Sequence, residues 1–106
     1  MREPLKTVSE IIARANDGFY QKYTRIDTII GIMDNTLRKQ GMNSDAITVD
    51  CPAQNKKIVF LLHDEKPEHV SIAVGDKSGK VETSSELELT RLSEEALLAM
   101  LEMHFT

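Results

Sequence analysis

The sequence predicts an α+β fold, with two N-terminal helices, a four-stranded antiparallel meander and a C-terminal helix in the order α-α-β-β-β-β-α. Three observations predict it. Apolar residues recur at helical spacing through the first forty residues. The middle alternates apolar and polar residues between short turn signals, and the chain closes on the nearly continuous apolar run "ALLAMLEMHF". The helices are expected to pack mainly on one sheet face. At 106 residues, 41% hydrophobic and 28% charged, the chain is expected to form a single α+β domain spanning 1–106.

Pro4 suits the first turn of a helix, and Thr7-x-x-Glu10 reads as a capping box. Leu5, Val8, Ile12 and Ala15 fall on one helical stripe, widened by Ile11. Asn16-Asp17-Gly18 reads as the stop, because glycine takes the left-handed cap conformation at little cost. A second helix is expected from about Phe19 to Gln40. Phe19, Tyr23, Ile26, Ile30, Met33 and Leu37 step by 4-3-4-3-4, Asp34 and Arg38 can pair at i,i+4, and Gly41 ends the element.

Side-chain parity sets the expected register of the meander. A four-residue loop, Pro52–Asn55, pairs Cys51 with Lys56, Val49 with Ile58 and Ile47 with Phe60. The next hairpin, through Asp64–Glu68, pairs His63 with His69 and sets Leu62, Phe60 and Ile58 facing Val70, Ile72 and Val74. The third turns at Asp76–Gly79, so that Val74 meets Val81 and Ile72 meets Thr83. Ser93 then caps the last helix, with Leu92 and Leu97 at the hydrophobic-staple positions and Glu94 and Glu95 at the positive end of the dipole.

Charge and composition bound the function. The formal net charge is −4, with residues 1–45 at +1 and residues 81–106 at −5. With no Trp and 5% aromatics, the chain lacks the basic stripe and stacking residues of a nucleic-acid binder. Arg14, Lys22, Arg25, Arg38 and Lys39 do not share one helical face, which disfavours binding through the N-terminal helices. No run approaches the roughly 18 apolar residues of a membrane span, and "MREPLKTVSE" lacks the apolar core of a secretory signal. A single cysteine, Cys51, forms no disulfide within the chain. The expected location is cytoplasmic.

Candidate chemistry is sparse. "HDEKPEH", residues 63–69, holds two imidazoles, and the expected register brings Glu86 opposite His69 on the same outer face. His63, His69 and Glu86 would then form a zinc-type ligand set. The plainer reading is a solvated hairpin end shaped by Pro67. "GDKSGK", residues 75–80, resembles a phosphate loop but has three residues between glycines instead of four. Val81 stands where Ser or Thr would bind magnesium, so it reads as a hairpin turn. No cofactor motif and no catalytic constellation is visible, and Cys51 falls on the core face.

Surplus apolar surface is the stronger signal. Parity places Val59, Leu61 and Ala73 on the sheet's second face, where a two-layer protein usually carries polar residues. Ile29 and Ile32 lie outside the seam of the second helix, and Met100 and Met103 add flexible apolar side chains on the last. The expected function is a small non-enzymatic protein-interaction module, a homodimer that binds a protein partner through these residues. The alternative is a small-ligand or metal-binding protein or enzyme using His63, His69 and Glu86.

Overall fold

The computed structural model describes residues 2–106. It is α+β, with three helices and a five-stranded antiparallel sheet. Helix α1 spans Glu3–Lys22, strand β1 Ile29–Met33, the short helix α2 Thr36–Lys39 and strand β2 Ser44–Cys51. Strands β3 (Lys56–His63), β4 (His69–Gly75) and β5 (Val81–Glu88) follow, and helix α3 (Glu94–Phe105) ends the chain. The sheet order is β1-β2-β3-β4-β5, a simple meander.

The expected second helix does not form, and the expected stop at Asn16-Asp17-Gly18 is helical. Phe19 extends the stripe of Leu5, Val8, Ile12 and Ala15 at the same 3-and-4 spacing, and all five are buried. Burying an aromatic ring contributes more than the roughly 1 kcal/mol a mid-helix glycine costs. The capping box is not used either. The helix begins at Glu3 with Pro4 in its first turn, so Thr7 already lies inside it.

Beyond the helix end, Ile29-Ile-Gly-Ile-Met33 is a fifth strand and not a helical seam. Branched side chains favour the pleated backbone, and Gly31 fits a tight neighbour: a Cβ there would lie 2.9 Å from Thr48 Oγ1. The Thr28 hydroxyl donates to Asn16 Oδ1 at 2.5 Å, tying the connection from α1 to β1 back onto the helix.

The β2–β3 register forms as expected, with Cys51 opposite Lys56, Val49 opposite Ile58 and Ile47 opposite Phe60. Asn55, at φ 52°, takes the left-handed position of that turn. In the β3–β4 pair, Ile58 faces Val74 and Phe60 faces Ile72, again as expected. The β4–β5 pair differs. Gly75 pairs with Val81, a bulge follows, and Val74 then pairs with Thr83 and Ile72 with Ser85. The strand is therefore displaced by two residues from the expected pairing. Gly75 makes the close approach possible, since a Cβ there would lie 2.4 Å from Lys80 O. Two residues of displacement preserve side-chain parity beyond the bulge, but Val81 moves from the core side to the outer side.

Helices α1 and α3 pack together over one sheet face. Phe19 meets Phe105 edge-on with centroids 6.2 Å apart, and Tyr23 lies 4.9 Å from Phe19. Beneath them lie Ile47, Val49, Cys51, Ile58, Phe60, Leu62, Val70, Ile72 and Val74, all buried in one cluster. Ser93 caps α3 as its sequence indicates, its hydroxyl accepting from the Ala96 amide at 3.0 Å. No helix among the described residues is long and apolar enough to cross a membrane.

Candidate interaction surfaces

Four surfaces gather the chemistry of the chain: an arginine clamp at one end of the sheet, the sheet's outer face, and the two sheet edges. The clamp centres on Arg38, at the end of α2. Its Nε and Nη2 donate to the two carboxylate oxygens of Asp45, both at 2.9 Å. Nη1 and Nη2 donate to Asp64 at 2.7 and 2.8 Å. One guanidinium thus binds two carboxylates as a fork, the geometry arginine suits best. The hydrogen bonds it donates to Asp64 and Asp45 push the Arg38 pKa further up, and the Arg38 bond holds the Asp64 carboxyl below the usual range. The i,i+4 partner expected from sequence, Asp34, is not the one Arg38 takes.

The clamp borders a hollow of about 450 Å³, lined among others by Arg2, Leu62, His63 and Lys66. Asp45 and Asp64, which also line it, are already engaged by Arg38, so their oxygens serve α2 and the β3–β4 turn. His63 Nδ1 lies 2.9 Å from Ser44 Oγ. A second polar cluster joins α1 to α3, where Lys22 Nζ and the Tyr23 hydroxyl donate to Glu102 at 2.9 and 2.7 Å. These bonds lower the Glu102 pKa, and the one from Tyr23 raises that of the phenol.

The displaced β5 register changes the expected ligand set. Glu88, not Glu86, stands opposite His69, while Glu86 stands opposite Ser71 and lies 3.5 Å from Lys66 Nζ. Among the described residues, no group of three or more His, Cys, Asp or Glu is arranged to hold a metal ion. "GDKSGK" forms a hairpin turn. Asp76 Oδ1 accepts from the Ser78 and Lys80 amides at 2.9 and 3.2 Å, and Gly79 sits at φ 89°. Cys51 is buried in the core.

The outer sheet face is covered by neither long helix. Val59, Leu61 and Ala73 are half-buried there and line a hollow of about 370 Å³ with Ser71, Ser84 and Glu86. A second, smaller hollow shares Val59 and Ala73 with it and is lined also by Val81, which is 59% exposed on the side to which the bulge turned it. Leu61, Val59, Ala73 and Val81 therefore form an apolar strip across three strands. Three of these residues follow from parity in the sequence; Val81 does not, because its placement depends on the bulge.

The other expected contact residues separate. Ile29 and Ile32 lie on β1 and are 58% and 45% exposed, with Ile30 between them also exposed. Met103 is 76% exposed on α3, whereas Met100 packs partly against the core and offers little surface. These residues do not form one patch with the outer-face strip. No family model, curated protein or solved structure matches this chain.

Proposed function

We propose that this chain is a non-enzymatic protein-interaction module that receives a protein partner on the outer face of its sheet. One observation carries the reading: the Leu61–Val59–Ala73–Val81 strip, half-buried apart from the exposed Val81, is left uncovered by both long helices. Apolar residues gathered on a concave uncovered sheet face gain by excluding water with a partner, at about 25 cal/mol per Å² buried. The hollow is shallow and its polar lining is Ser71, Ser84, Ser85 and Glu86, which suits a protein surface better than reaction chemistry.

The test is affinity capture with the wild-type chain, Leu61→Arg and Ile32→Lys as parallel baits, each first shown to be folded by circular dichroism. A protein retained in stoichiometric amount by wild type and Ile32→Lys, but lost with Leu61→Arg, supports the reading. The same proteins retained by Leu61→Arg as by wild type would contradict it, as would no stoichiometric capture at all.

A further inference from the structure

The edge strand β1 presents an unusual combination. It is five residues long, carries no charge in "IIGIM", and is paired on one side only, by β2. Its free side offers unpaired backbone donors and acceptors, a ready template for another strand. Ile30 and Ile32 stand opposite Val49 and Ile47, whose side chains are in the core, yet they remain 36% and 45% exposed. The helices stop short of this edge, so two isoleucines have core-face parity without core cover.

We propose that a second copy of this chain pairs with β1 antiparallel about a two-fold axis at Gly31, joining two five-stranded sheets into one. The register follows from self-complementarity. With Gly31 opposite Gly31 of the second copy, Ile30 faces Ile32 of that copy and Ile29 faces Met33, so every strand residue meets a strand residue. Shifting the centre to Ile32 would set Ile30 against an aspartate, Asp34. Shifting it to Ile30 would leave Met33 outside the strand contact. In the Gly31-centred register the flanking acids stay apart, since Asp34 falls opposite Thr28 and Asp27 opposite Asn35 if the ladder is extended.

A two-fold perpendicular to the sheet keeps both pairs of long helices on the same side. Ile30 and Ile32 from each copy then form a four-isoleucine cluster in the uncovered strip between them. The opposite edge explains why the assembly closes at two. Strand β5 carries Glu82, Glu86 and Glu88, so β1 has no apolar second edge to join and growth into a filament is disfavoured.

The inference deepens the interaction reading by naming one partner, at a surface separate from the outer-face strip, so the two can fail independently. Sedimentation equilibrium over a roughly hundredfold range of concentration tests it on the wild type, Ile32→Lys, Ile32→Thr and Leu61→Arg. The expected result is a monomer–dimer equilibrium in the wild type that Leu61→Arg leaves unchanged. Ile32→Lys should weaken it at least about tenfold and the neutral, branched Ile32→Thr by less. Position 32 is exposed, so both variants should keep the wild-type fold, checked by circular dichroism. A wild type that stays monomeric throughout would overturn the proposal. So would an open-ended series of larger species, or a dimer that survives Ile32→Lys and is lost in Leu61→Arg; the last would mean that the outer faces stack instead.

Discussion

Strands β1 and β5 occupy equivalent places at opposite ends of one sheet, and their chemistry is opposite. Both leave core-parity residues exposed, Ile30 and Ile32 on β1 and Thr83 and Ser85 on β5, although Leu87 of β5 packs partly against the core. On β5 those positions are hydroxylic, and the alternate ones are Glu82, Ser84, Glu86 and Glu88, with Glu86 and Glu82 paired to Lys66 and Lys56. On β1 every side chain is apolar or absent. A sheet edge that must stay unpaired is usually guarded by charge. Only one of these two edges is guarded.

The largest expected effect removes the support both edges share. Phe60 is fully buried on the central strand β3, and Phe60→Ala should cost about 3–5 kcal/mol. Urea unfolding should show the loss, and both edges should exchange amide protons faster together. If only one edge loosens, the sheet is not the cooperative unit assumed in comparing them.

A smaller and one-sided effect is expected at Gly75. A side chain there meets Lys80 O, so Gly75→Val should cost about 1–3 kcal/mol and disturb β5 while leaving β1 exchange unchanged. Equal disturbance of both strands would break the distinction between them.

The arginine clamp offers a test near the other edge, because α2 links β1 to β2. Arg38→Ala leaves the buried Asp45 carboxylate without its fork and should lower the melting temperature at neutral pH. The Asp64 pKa is depressed in the folded state. Its contribution is therefore present above the ordinary carboxylate range and is lost as pH falls through the depressed value. Melting temperature measured against pH should fall on acidification in the wild type and fall less steeply in Arg38→Ala. Parallel curves would remove the clamp from the account.

The smallest effect on stability belongs to the edge residues themselves. Glu86→Val and Ile29→Lys alter exposed side chains and should each change unfolding free energy by no more than about 0.5 kcal/mol. Light scattering should nevertheless separate them, with Glu86→Val promoting larger species and Ile29→Lys suppressing association.

The same contrast shows what was legible in the sequence. The registers of β2 with β3 and of β3 with β4 were readable, because their alternation is strict and a one-residue slip would turn Ile58 and Phe60 out of the core; the β3–β4 ladder nevertheless ends at Leu61–Ser71, short of the expected His63–His69 pair. Strand β1 was not, because Ile26, Ile30, Met33 and Leu37 also satisfy a helical period; Gly31 and its branched neighbours were the local signal that β pairing won. Strand β5 was found with the wrong register, because a bulge at Val74/Gly75 depends on how closely Gly75 approaches Lys80. The bulge takes Glu86 away from His69 and turns Val81 to the outer face. Val59, Leu61 and Ala73 were legible as outer-face residues because parity alone decides them.

The most direct measurement of the contrast between the edges is residue-resolved amide exchange of β1 and β5 at low and high protein concentration. The β1 amides that face away from β2 should become more protected as concentration rises, while those of β5 should exchange at an unchanged rate. Edge amides exchanging at concentration-independent rates on both strands, or protection rising on β5 instead, would contradict it.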